Sequence, residues 1–227
     1  YEHITAIGEK LGKTLFDDVS GYNGPAALTE ELLVLRLILE QQHDNLFADG
    51  LDDFITKVSL FGFHFASLDI RQESRKHEAL VEEIILLKAG QPALDAYRLK
   101  SIHEKMEYLN SCTWTIDANV TTDPTSIDII RSMQAIRQIQ QSNGTKACHR
   151  YVISNSRHAL DVFSIQILMR WIHGDNQLDI DIVPLFESID DLGTATDVMQ
   201  ELYSFAPYAS HLKARGQVQT VMLGFSD

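Results

Sequence analysis

The sequence predicts a predominantly helical α/β fold built on a parallel sheet of barrel type, and three observations predict it. Short apolar runs alternate with longer stretches of helical period along most of the 227 residues. No strand-like run is followed by a Gly-rich dinucleotide-binding turn, which favours a barrel over an open nucleotide-binding sheet. Within the stretch 63–73, counting by twos puts Phe63, Phe65, Ser67, Asp69, Arg71 and Glu73 on one face and Ala66, Leu68 and Ile70 on the other. The second face is apolar throughout. The first passes from aromatic to small to charged, as a strand does when its C-terminal end meets a polar site.

Taken in order, the elements begin with Gly8-Glu9-Lys10-Leu11-Gly12-Lys13-Thr14, which looks like a phosphate-binding loop but is one residue short between its glycines. Tyr1 to Ile7 is also too brief and polar to supply the strand such a loop needs, so the stretch reads as a surface helix. After the turn-like Gly21-Tyr22-Asn23-Gly24-Pro25, apolar residues recur at helical spacing from Leu28 to Phe47, and a second helix is predicted from Leu51 to Leu60. The strand follows, and Ser74 opens a helix through about Lys88 that Gly90-Gln91-Pro92 ends. Ala93 to Leu109 and Ser126 to Gln141 carry helical period on either side of a polar segment, 119–124.

Tyr151-Val152-Ile153-Ser154 reads as a second buried strand. An amphipathic helix follows, capped by Ser154, Asn155 or Ser156, with Leu160, Phe163, Ile167, Leu168 and Trp171 inward. Asp181 to Glu187 is predicted as a third strand, Asp190 to Phe205 as a helix and Thr220 to Phe225 as a fourth strand. The organisation is a helical lead-in over 1–60, a barrel region over 61–90 and 150–227, and a mostly helical insert over 91–149. Barrels of this kind place chemistry at the C-terminal strand ends, where Arg71, Ser154, Glu187 and Asp227 are expected.

Composition excludes several classes. With 19 Lys and Arg against 32 Asp and Glu, the net charge is −13 and the basic residues are scattered, so nucleic acid and anionic lipid are disfavoured as partners. No apolar run approaches the roughly 20 residues that span a bilayer, and the opening YEHITAIGEK lacks the pattern of a signal peptide. Cys112 and Cys148 are the only cysteines and have no paired-ligand spacing, which suits a reducing compartment, the cytoplasm by default. The Asn119 and Asn143 sequons carry no weight without secretion.

The nine histidines fall in no zinc spacing. Glu187 and Asp227 are different: carboxylates at the ends of separate parallel strands either converge on a hard cation such as magnesium or manganese or cap the helices that follow. Arg71 either pairs with Asp69 or Glu73 on its own face or directs its planar fork of donors at a phosphate or carboxylate.

Four blocks in order, FGFHFASLDIRQESRKHEAL, YVISNSRHALDVFSIQILM, DIVPLFESIDDLGTATDVMQELY and QTVMLGFSD, resemble the signature segments of the phosphoenolpyruvate carboxylase family. The resemblance runs from about Leu60 to Asp227. It implies a TIM (β/α)8-type barrel with extra helices, only part of which this chain would supply. It also implies a magnesium- or manganese-dependent cytoplasmic enzyme, homotetrameric when complete, that joins phosphoenolpyruvate to bicarbonate to give oxaloacetate and phosphate. Position by position it assigns Glu187 and Asp227 to the metal, Arg71 to the catalytic binding of phosphoryl and carboxylate groups, and Met222 to the wall beside the substrate's methylene.

The sequence opens without Met and stops within the family's GFSD motif, so a piece of a longer chain, inactive alone, is expected. The competing reading is a barrel fragment serving as scaffold or interaction module without catalysis.

Overall fold

The computed structural model describes residues 2–16, 19–174 and 179–224. The chain divides into two units, one made of 1–67 with 141–147 and the other of 68–140 with 148–227. The first contains α1 (Glu2–Leu15), α2 (Pro25–Gln42) and α3 (Ala48–Phe61). Ile7, Tyr22, Leu28, Leu32 and Val58 form its core, with Leu11, Leu35, Ile55 and Phe63 packed against them. Pro25 starts α2 where its missing N–H costs nothing. Glu31 holds the entrance, accepting from Tyr22 Oη at 2.6 Å and Lys10 Nζ at 2.8 Å. The helix predicted to reach Phe47 ends at Gln42, because Asp44 and Asn45 take the left-handed conformation. Gly8 to Thr14 lies within α1, as a helix and not a phosphate loop.

The strand predicted from Phe63 starts at Asp69. Gly62 and Phe65 have φ of 51° and 62°, His64 N and Phe65 N donate to Phe61 O, and the Phe61 and Phe65 rings stack at 5.6 Å. The aromatic half of the alternating pattern therefore belongs to a turn closing α3, and Phe63 serves the helical core.

The second unit holds β1 (Asp69–Glu73), α4 (Ser74–Ala89), α5 (Gln91–Arg98), α6 (Ile102–Ser111), α7 (Pro124–Asn143, whose last residues belong to the first unit), β2 (Arg150–Ser154), α8 (Ala159–His173), β3 (Asp181–Phe186), α9 (Ile189–Ser204), α10 (Ala206–Ala214) and β4 (Met222–Leu223). The four strands form one sheet in the order β1-β2-β3-β4, every neighbouring pair parallel, as the strand and helix alternation predicts. The expected fourth strand is shorter than predicted, and Phe225 lies outside the described residues. Gly90-Gln91-Pro92 ends α4 and at once starts α5, while Ser101 and Glu104 form a reciprocal cap that splits the predicted 93–109 helix and starts α6.

Helices α4, α8 and α9 cover one face of the sheet. Ile70, Tyr151, Ile153, Ile182 and Phe186 project into that helix-side core. The expected amphipathicity of α8 fails: Val162, Ile165 and Met169 are as buried as the predicted inner residues, since α4, α6, α9 and β3 surround it. Its predicted cap also differs. His158 holds the N-cap position without a side-chain bond, and Asp161 reaches back to accept from Arg157 N at 2.9 Å. At the far end, Arg170 Nη2 donates to the Leu109, Asn110 and Cys112 carbonyls, supplying α6 with the donors its last turn lacks.

Candidate functional site

The register decides which side chains share a face. Arg71 pairs with Val152 and Val152 with Val183, while Leu185 pairs with Met222. Side chains alternate along a strand, and the neighbours of these residues enter the helix-side core, so Arg71, Val152, Val183, Leu185 and Met222 lie on the opposite face. Glu187 is two residues beyond Leu185. Gly224, two beyond Met222, extends the ladder through its N–H to Phe186 O at 2.9 Å. A Cβ on Gly224 would lie 2.6 Å from Glu187 Cβ, so the glycine clears the space beside the Glu187 side chain. Arg71, Met222 and Glu187, three of the four residues singled out in the sequence, thus belong to one face of one sheet. Asp227 lies outside the described residues.

Arg71 sits lower than expected, since β1 continues two residues past it to Glu73. Its side chain is 63% exposed, and the nearest carboxylate oxygen, on Asp69, is 4.0 Å away. An exposed pair at that separation contributes little, and Glu73 lies instead 3.8 Å from Arg75. Among the described residues the Arg71 side chain makes no hydrogen bond, so its five donors are available to an anion.

Glu187 does not cap α9. Ser188 does, accepting from Asp191 N at 3.1 Å while Asp191 Oδ2 accepts from Ser188 N at 3.2 Å. Among the described residues the Glu187 carboxylate accepts no hydrogen bond and makes no ion pair. No three His, Cys, Asp or Glu side chains among the described residues cluster as a complete metal site. Glu187 offers a hard oxygen donor fit for a magnesium-like ion, which keeps several waters and takes one or two carboxylates.

Leu185, half-buried and paired with Met222, was not singled out in the sequence. Its place at i−2 from Glu187 was the available signal. Also unanticipated is a charged cluster after β2. Arg157 Nη2 lies 3.0 Å from Asp161 Oδ1 and 3.0 Å from Glu78 Oε2, and His158 Nδ1 is 3.3 Å from Asp161 Oδ2. It ties the starts of α4 and α8. Its signal was the Arg157 and Asp161 spacing of four. A cavity of about 690 Å³ lined by Phe186, Met199, Tyr203, Val221 and Leu223 opens on the helix side of β4, away from this face.

The sequence model described as phosphoenolpyruvate carboxylase matches residues 4–227. The chain is 32% identical over 216 residues to the phosphoenolpyruvate carboxylase of Corynebacterium diphtheriae, covering 91% of this chain and 24% of that protein. It is 29% identical over 234 residues to that of Ralstonia nicotianae, covering 97% and 24%. With the protein of the same name from Gloeobacter violaceus the figures are 30% over 212 residues, 91% and 22%. The chain spans about a quarter of the length of the curated relatives it matches.

Proposed function

This chain belongs to the phosphoenolpyruvate carboxylase family, and we propose that its sheet is part of a TIM-type barrel in which phosphoenolpyruvate and bicarbonate give oxaloacetate and phosphate. On this reading both units belong to one catalytic domain of a cytoplasmic homotetramer. The observation that carries the residue roles is the face shared by Arg71, Leu185, Met222 and Glu187.

A bicarbonate oxygen attacks the phosphoryl phosphorus, and the bond to the enol oxygen breaks, leaving carboxyphosphate and the enolate of pyruvate. Carboxyphosphate releases carbon dioxide and phosphate, and the enolate methylene carbon takes up the carbon dioxide. Both intermediates, carboxyphosphate and the enolate, are anionic. Arg71, with its donors uncommitted, binds and orients phosphoryl or carboxylate oxygens in a bidentate fork. Leu185 and Met222 form an apolar wall that keeps water, and so a stray proton, from the enolate carbon.

Magnesium or manganese belongs to the same reading, held by Glu187 and Asp227. When bound it would offset negative charge on phosphoryl and enolate oxygens. Both steps need cationic and donor groups around a whole ring of strand ends, so the 227-residue chain alone is expected to give no turnover.

The test is Glu187→Gln in the complete enzyme carrying this sequence, with oxaloacetate formation followed while metal is titrated. The volume is kept and one anionic ligand is lost. The expected outcome is at least about a tenfold rise in the metal concentration needed for half-maximal rate, with an unchanged melting temperature. Unchanged metal dependence removes Glu187 from the site.

A further inference from the structure

Two hydrogen bonds made by buried side chains fasten the start of α4, which follows β1 directly, to β2 and to the residue after it, and neither involves a residue given a role above. His77 Nε2 lies 2.7 Å from Tyr151 Oη, the rings edge-on with centroids 5.5 Å apart. Both residues are fully buried. Ser74 Oγ, also buried, donates to Asn155 O at 2.6 Å, and Asn155 stands in the left-handed conformation at φ 57°. No residue intervenes between β1 and α4. Tyr151 pairs with Ile70 in the ladder, and Asn155 follows the last rung, Glu73 with Ser154, so the two bonds hold α4 to positions on either side of the rung of Arg71 with Val152.

An apolar contact in place of His77 and Tyr151 would tolerate a range of strand heights. A hydroxyl and an imidazole nitrogen in an apolar core meet at hydrogen-bond distance in only one arrangement. Among the described residues the buried His77 Nδ1 has no partner, and Tyr151 Oη is the partner of His77 Nε2. Sliding β1 along β2 by one residue, about 3.3 Å, would leave both unpaired at full desolvation cost. The Ser74 bond fixes the same junction from the other end. Burial lowers the His77 pKa to about 3, so the ring stays neutral and the pair is held without charge.

We propose that His77, Tyr151 and Ser74 are positioning residues that set the height of Arg71 on the site face relative to Leu185, Met222 and Glu187. The proposal rests on reading Arg71 as the anion-binding group. A rigid register matters because a misplacement of about 1 Å in a binding group can cost on the order of 100-fold in rate.

Double-mutant cycles on kcat/KM for phosphoenolpyruvate in the complete enzyme test it, with thermal melts alongside. Tyr151→Phe keeps the ring packing and deletes the hydroxyl. It should lower kcat/KM by about tenfold or more beside Arg71, and by less than about twofold in an Arg71→Ala background. Equal losses in both backgrounds, or none in either, overturn the positioning role and leave the pair a folding contact. An Arg71→Ala variant with undiminished kcat/KM overturns the reading of Arg71 itself, and the positioning role with it. Should Tyr151→Phe fail to fold, Ser74→Ala, which removes a single oxygen, is judged in the same cycle by the same criterion.

Discussion

Three histidines of this chain, His77, His173 and His211, are pushed toward the neutral form by burial. Burial is the largest influence on His77, bringing it to about 3; Lys76 adds to the effect, and the Glu73 backbone opposes it. His173 and His211 are lowered too, chiefly by desolvation. Unfolded, a histidine titrates near 6.5, so between about 3 and 6.5 the unfolded chain binds the proton that folded His77 refuses. The stability linked to His77 is therefore fully present above about pH 6.5. It is lost as pH falls toward 3, at up to about 1.4 kcal/mol per pH unit. Urea midpoints between pH 7.5 and 4.5 should fall more steeply for the native sequence than for His77→Gln. Parallel slopes would mean that His77 is protonated in place. Arg71 and Glu187 could be picked out in the sequence by type and position. Ser74, His77 and Tyr151 could not, because two of their bonds join residues about eighty positions apart.

At the scale of the element, α8 and α6 show how helix ends are completed from elsewhere. Arg170, on α8, supplies hydrogen bonds to three carbonyls at the end of α6, and Trp171 Nε1 adds one to Cys112 O at 3.2 Å. Arg170→Ala would strip partly buried carbonyls of a charged donor, at a cost of about 2 kcal/mol. Arg170→Met, keeping the stem, should lose nearly as much, if the bonds and not the packing matter. A destabilisation for Met below half that for Ala would reverse this view. Four parallel strands were legible in their apolar runs, and so were most helices. The boundary of β1 was not, because turn aromatics in 61–65 imitate strand alternation while Phe63 packs on α3's own core. The all-round burial of α8 also escaped, because a helix surrounded by helices and sheet needs no polar face, and period alone reports only where contrast exists.

For the whole molecule, the sheet order repeats the chain order, and this bears on how the structure is assembled in time. Pairing β2 with β3 closes a loop of about thirty residues and β3 with β4 somewhat more, while β1 with β2 closes about eighty. The longer closure costs about 1 kcal/mol more in chain entropy. Contacts among β2, α8 and β3 should accordingly form the folding nucleus, with β1 docking afterwards. Stopped-flow measurements would show it: Val183→Ala slows folding, whereas Ile70→Ala mainly hastens unfolding. Equal slowing of folding by both would place β1 in the nucleus. If β1 does arrive late, the strand bearing Arg71 is fitted onto a platform already made, and an error at that step would leave a well-folded protein with its arginine at the wrong height.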